Sequence, residues 1–305
     1  MTIQPLATVD LNLQPQLQWL WYSNATHAVI SGDEKDAYSL STANPTSPNA
    51  IEAGGSSKSA CNLPIADTLK DEFLSHPCHG LRFLDRAAYD GIDADILRTL
   101  VFGPNYNVPM LHPPSGAILA LQSSAMQLLI RAGQAFTPID RTKPRGKAAL
   151  AFAAHPAEPL IVYGDNNGTF TAHRFGPTKF GKATKIAEKE RKASQIGFIA
   201  GGTKLLIGGM GYLATFAYEE KQFSPLHEVS APVRDFRVAD HGQTIVVNQG
   251  MHGVSIYRCD ETGRLTKQAE VKPPGPVQFV AASADLKHLA ATHTGVARVS
   301  VYSIS

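Results

Sequence analysis

Several patterns are scarce or missing in this chain, and each gap removes a class of protein. Cysteine occurs only three times in 305 residues, at Cys61, Cys78 and Cys259, an odd and sparse set that offers no disulfide framework and fits a reducing compartment. No stretch approaches the roughly 18 consecutive apolar residues of a membrane-spanning helix. The start Met1-Thr2-Ile3-Gln4-Pro5 lacks the basic-then-apolar order of a signal peptide. A cytoplasmic protein is therefore expected. Charged residues make up 18%, and 28 Lys and Arg stand against 26 Asp and Glu for a formal charge of +2, so no global field draws in nucleic acid or an anionic membrane. No GxSxG elbow, P-loop or HExxH sequence is present, which removes the common hydrolase and NTPase signals. No long segment carries a 3.6-residue apolar period. Short apolar or alternating runs bounded by Gly, Asn and Asp are there instead, the pattern of strands joined by tight turns.

These runs repeat. Ala149-Leu-Ala-Phe-Ala153, Gln195-Ile-Gly-Phe-Ile-Ala200, Arg234-Asp-Phe-Arg-Val238 and Val277-Gln-Phe-Val-Ala281 each open a unit of apolar strand, turn, second strand, Gly/Asn turn and third strand. The equivalent positions Phe152, Phe198, Val238 and Val280 lie 46, 40 and 42 residues apart, the spacing of β-propeller blades rather than of a simple sandwich. The chain reads as all-β, a single β-propeller domain over residues 1–305. Two weaker copies are Leu17–Trp21 with His27–Ile30 and Ala37–Leu40, and Ile118–Leu121 with Gln127–Ile130 and Ala135–Thr137, each taken as first, second and third strands. Residues 42–116 read as a low-complexity and partly helical insertion, with a polar loop over Ser41–Pro64 and a short helix over Asp67–Leu74. If that region also holds a blade the count is seven, the expected number; otherwise it is six. The last unit stops at Ser305 after its third strand, and Leu6–Leu11 resembles the fourth strands before later blades. The N-terminal strand is therefore expected to complete the last blade, removing an exposed sheet edge.

Val254-Ser-Ile-Tyr-Arg-Cys-Asp-Glu-Thr-Gly-Arg-Leu-Thr266 resembles the strand-turn-strand pattern of lactonase-like seven-bladed propellers, and Ser283–Thr292 resembles their turn and second strand. The resemblance covers the C-terminal half and implies architecture alone, because no catalytic position aligns. The WD40 family is a poorer match: there is no Trp-Asp or Gly-His pair.

Candidate chemistry is thin. Cys61, His76, Cys78 and His79 are zinc-type ligands but show no CxxC spacing, and Asp90, Asp93 and Asp95 read as a turn rather than a calcium loop. No metal or cofactor is expected. Gly209-Met-Gly-Tyr-Leu-Ala214 matches GxGxxA, yet Tyr212–Tyr218 alternates as a strand where a dinucleotide site needs a helix. The run Lys179, Lys182, Lys185, Lys189, Arg191 and Lys192 reads as a solvated outer strand. In a propeller, the loops from second to third strands and from fourth strands to the next blade gather on one face. The former carry Asp165, Asn167, Asn248, His252 and His293, the candidate binding residues. Asn and Gly serve tight turns there, whereas His252 and His293 are not required by turn chemistry. The expected function is a non-enzymatic scaffold, monomeric, binding another protein and neither nucleic acid nor membrane. The alternative is a lactonase-type hydrolase acting on a small sugar-derived ester, which rests on fold analogy.

Overall fold

The computed structural model describes residues 1–12, 19–24, 26–32, 37–51, 110–112, 115–122, 125–132, 135–144 and 149–305. These residues form six four-stranded antiparallel sheets. The first comprises β2 (Trp19–Ser23), β3 (Ala28–Gly32), β4 (Ala37–Ser41) and β5 (Asn49–Ile51). The second comprises β6 (Met110–His112), β7 (Ala117–Gln122), β8 (Ala125–Ala132) and β9 (Ala135–Arg141). Then follow β10 (Ala149–Ala154), β11 (Leu160–Asp165), β12 (Thr169–Phe175) and β13 (Phe180–Glu188), and β14 (Ala193–Ile199), β15 (Lys204–Gly209), β16 (Tyr212–Glu219) and β17 (Gln222–Val229). The fifth holds β18 (Asp235–Ala239), β19 (Thr244–Asn248), β20 (Val254–Cys259) and β21 (Leu265–Val271). The closing sheet pairs β22 (Val277–Ala282), β23 (His288–His293) and β24 (Arg298–Ile304) with β1 (Ile3–Asp10). The architecture is that of a β-propeller.

The second strands are mostly apolar and almost wholly buried because both their faces are covered by neighbouring blades. Leu160–Asp165 and Thr244–Asn248 are buried at every residue. Fourth strands alternate or are largely exposed, as in Phe180–Glu188, which places Lys182 and Lys185 of the lysine-rich run on an outer strand and the rest of the run in the segments flanking it. Most of these outer strands carry a bulge. Leu6 follows Pro5, Ile139 follows Pro138 and Leu226 follows Pro225, and in each case the residue after the proline drops out of the ladder. Proline has no N–H to give, so it is tolerated at an edge, and the bulge twists that edge away from pairing with other chains. Ile186 and Gln268 are skipped similarly in β13 and β21.

The closure holds as read from the sequence: β1 runs antiparallel to β24 from Ile3↔Ile304 to Asp10↔Arg298. Two expectations change. Ile118–Leu121 is a second strand, not a first, so that blade is displaced by one strand; its first strand, Met110–His112, has only three residues, too few to show a period. Pro138 lies in the fourth strand, where an edge accepts it. The polar segment after Ser41 is not all loop. Asn49–Ile51 pairs with Ala37–Ser39 as a fourth strand, and Asn44, Thr46 and Ser47 bond among themselves in the preceding turn. The seventh blade, the helix over Asp67–Leu74, Cys61, His76, Cys78, His79 and the Asp90, Asp93 and Asp95 group lie outside the described residues.

Candidate interaction face

The second-to-third-strand turns and the connections into each next blade hydrogen-bond to one another, which builds one face of the propeller. Lys189 N donates to Gly168 O (2.9 Å), Val233 N to Gly209 O (2.9 Å), Arg234 N to Asn248 O (2.9 Å), Thr294 N to Pro276 O (2.9 Å) and Leu11 N to Ala297 O (2.7 Å). Glycine is required where these backbones meet. Gly168 has φ +79° and a Cβ there would sit 2.1 Å from Lys189 O; Gly253, at +89°, would meet Val271 O at 2.3 Å.

Three of the five candidate residues work beneath this face. Asp165 is 1% exposed, and its carboxylate accepts from Asn167 N (2.9 Å) and Thr169 N (3.0 Å), an Asx turn that shapes the hairpin. Asn248 is fully buried. Its amide donates to Asp235 Oδ2 (2.7 Å) and to Gln278 O of the closing blade (2.9 Å), while Oδ1 accepts from Gly250 N (2.9 Å). The expectation that His293 is an unemployed loop side chain is corrected: it is 2% exposed. His293 Nε2 lies 2.9 Å from Ser300 Oγ, which is 2.9 Å from Thr8 Oγ1. The chain of contacts crosses β23, β24 and β1, so His293 helps hold the closing strand. Burial, assisted by the Arg298 charge, pushes its pKa down and keeps the ring neutral. Asn167 and His252 are the two exposed members.

What the sequence reading passed over is apolar. In three successive blades the second-to-third-strand turn exposes a large hydrophobic residue: Met210 at 49%, Met251 at 84% and Val296 at 40%. All three follow a glycine in a tight turn, where turn chemistry does not call for a large apolar side chain. That mismatch was visible as Gly-Met-Gly, Gly-Met-His-Gly and Gly-Val-Ala. The backbone beneath is fixed: Arg191 Nη1 donates to Met210 O (2.9 Å) and Arg234 Nη1 to Val277 O (3.2 Å). The GxGxxA segment is a hairpin leading into strand β16, as its alternation indicates.

At the opposite end, His155 Nδ1 accepts from Ala157 N (3.1 Å) and Glu158 N (2.9 Å). Arg174 Nη2 donates to Glu158 (2.6 Å) and to Tyr218 Oη (2.8 Å), and Tyr218 Oη also lies 2.9 Å from Glu158 Oε2. These hydrogen bonds hold the Glu158 carboxyl below its usual range. Among the described residues no group of three or more His, Cys, Asp or Glu is placed to hold a metal ion, and no helix is long and apolar enough to cross a membrane.

No protein-family model matches the sequence, and no curated protein does. Among solved structures, the β-propeller domain of Cps50 (Swd1) from Myceliophteria thermophila superposes with a TM-score of 0.63 at 12% identity, covering 100% of both chains. Hydrazine synthase of Kuenenia stuttgartiensis gives 0.45 at 15% identity, over 59% of this chain and 53% of that one, too slight a likeness to carry an argument. By fold, then, the chain is a β-propeller of the kind seen in the Swd1 domain.

Proposed function

We propose that this chain is a non-enzymatic propeller scaffold that binds another protein through the face bearing the second-to-third-strand turns. The observation that carries this reading is the row Met210, Met251 and Val296, apolar side chains held out from rigid turns on three adjacent blades. Exposed apolar residues grouped on one face mark interaction surfaces, and methionine adapts to an uneven partner. Asn167 and His252 form the polar surround, while Asp165, Asn248 and His293 fix the turns from below. A standard interface of about 800 Å² per partner fits such a face. Seven blades, the seventh within residues 42–116 together with insertions, are part of this proposal. Among the described residues the six sheets pack in sequence from the β6–β9 sheet round to the β2–β5 sheet. The hydrolase alternative has no observation among the described residues in its favour.

Affinity purification from the native cell with wild-type protein and with Met210→Asp/Met251→Asp tests the reading. A central apolar hot spot typically contributes upward of about 2 kcal/mol, so a specific partner should be lost from the variant while its melting temperature stays put. Retention of the same partner would remove this face from consideration.

A further inference from the structure

A cavity of about 680 Å³ opens on the outside of the propeller between the third and fourth sheets. Its floor is apolar: Leu160 and Ala172 are buried, and Ile186 and Phe223 are partly so. The bulge in β13 turns Ile186 out of the ladder between Phe170↔Ala187 and Thr171↔Lys185, and Phe223 rests against Tyr218 with ring centroids 4.7 Å apart. The rim is cationic, with Arg174, Lys182 and Lys185 from one blade and Lys221 from the next. Arg174 is paired with Glu158 and Lys185 with Glu188. Lys182 and Lys221 have no ion-pair partner among the described residues. Four cations against two carboxylates leave a local excess of two positive charges around an apolar floor. Glu219 and Glu220, in the same turn as Lys221, do not line the cavity.

Edge protection accounts for lysines spread along one outer strand. It does not account for cations from two blades converging on one apolar cavity. Other outer strands lack the feature: β21 holds Lys267 paired with Glu270, and β17 and β1 hold no lysine.

We propose that this groove docks an extended acidic peptide segment in which Asp or Glu alternates with aliphatic or aromatic residues. Successive side chains of an extended chain point to opposite sides. One set enters the apolar floor while the other faces Lys182, Lys221 and their neighbours. A cavity of this size lies within the ordinary range of about 300–1,000 Å³ for binding pockets. Phosphate-rich polyanions match the rim and not the floor, and a flat membrane does not enter a concave site. The site is separate from the turn-bearing face proposed above.

The test is fluorescence anisotropy with a fluorescein-labelled Glu-Leu-Glu-Leu-Glu-Phe-Glu peptide, and with two controls in which either every Glu becomes Gln or every apolar residue becomes Ser. Saturable binding should be at least about tenfold weaker for both controls, a difference of about 1.4 kcal/mol. It should fall equally in Lys182→Glu/Lys221→Glu, whose altered side chains are solvent-exposed, and should weaken with salt. Thr184→Trp, which fills the groove without changing charge, should also abolish it, whereas Met210→Asp/Met251→Asp should bind normally. The proposal is overturned by absence of saturable binding, by binding that ignores the lysine reversals, or by equal binding of the Ser control or a short oligonucleotide, which would mark a general polyanion surface.

Discussion

Two seams between neighbouring blades are built from different chemistry. Between the β10–β13 and β14–β17 sheets the buried contact is apolar and aromatic, with Phe170, Leu205, Phe216 and Tyr218 in one cluster and His155 set edge-on to Phe198 at 4.9 Å, and the polar links of Arg174 and Glu158 to Tyr218 lie at its part-exposed end. Between the β18–β21 sheet and the closing sheet, apolar packing of Val246, Ile256, Val280 and Leu289 is joined by polar links, a buried one from Asn248 to Gln278 O and a part-buried one from Arg234 to Val277 O. Apolar contact is non-directional and tolerates a gap, and the first seam leaves an open groove at its outer end. Hydrogen bonds fix position. The closing sheet is the blade most in need of a fixed position, because its β1 and β24 pair without a turn to join them.

The largest expected effect comes from removing that junction. Deleting residues 2–10 leaves the β24 edge bare and removes the Thr8 and Asp10 contacts with Ser300 and Arg298. Loss of a cooperative melt and the appearance of aggregates by light scattering are expected; an unchanged melting temperature would show that the ring does not depend on its closing strand. Next in size is Asn248→Ala, which strips a buried donor from Asp235 and from Gln278 O. A cost of about 2–4 kcal/mol in a urea titration follows, because the abandoned groups stay dehydrated. A cost under about 0.5 kcal/mol would erase the distinction between the seams.

A smaller, pH-dependent effect sharpens the same contrast. His173 and His293 have pKa values pushed below 6.5 by burial. The unfolded chain therefore binds more protons than the folded one once pH drops below about 6.5, and stability falls on acidification through that window. His293→Gln should flatten the slope between about pH 7 and pH 5 in melts taken along a pH series. Asp285, held at about 2 by Ser283 and the Lys287 backbone, and Glu158, held low by Arg174 and Tyr218, add a separate loss only at lower pH, below their unfolded values. Their stability is present above the ordinary carboxylate range and disappears as they protonate. The smallest effect is expected from Glu158→Gln. Its partner Arg174 is 40% exposed, so water screens the pair and a change under about 1 kcal/mol is expected. A loss as large as that of Asn248→Ala would mean that the aromatic seam is also held by its polar end.

The groove and the turn-bearing face differ in how much the sequence disclosed. The lysines of β13 stood out as a charge run, but their convergence with Lys221 depends on two hairpins from different blades lying side by side. The exposed methionines stood in plain view among glycines. Histidine has the more varied chemistry, yet His293 is a buried strut. Burial of a turn residue depends on the neighbouring blade, which local sequence does not encode.

By itself the sequence determined the blade. Largely apolar second strands, alternating outer strands and Gly- or Asn-centred turns recur near 43 residues, since each strand's periodicity follows from which of its faces is covered. It also determined the closure, because an unpaired third strand at one terminus and a matching fourth strand at the other leave one economical solution. Tertiary structure decided the rest. The displaced strands of the β6–β9 sheet, the fourth strand at Asn49–Ile51, the inward placement of Asp165, Asn248 and His293, and the cavity between the third and fourth sheets all depend on contacts between segments distant in the chain. Such contacts are set by which blades are neighbours, and a repeat that makes every blade alike carries little information about how one seam differs from the next.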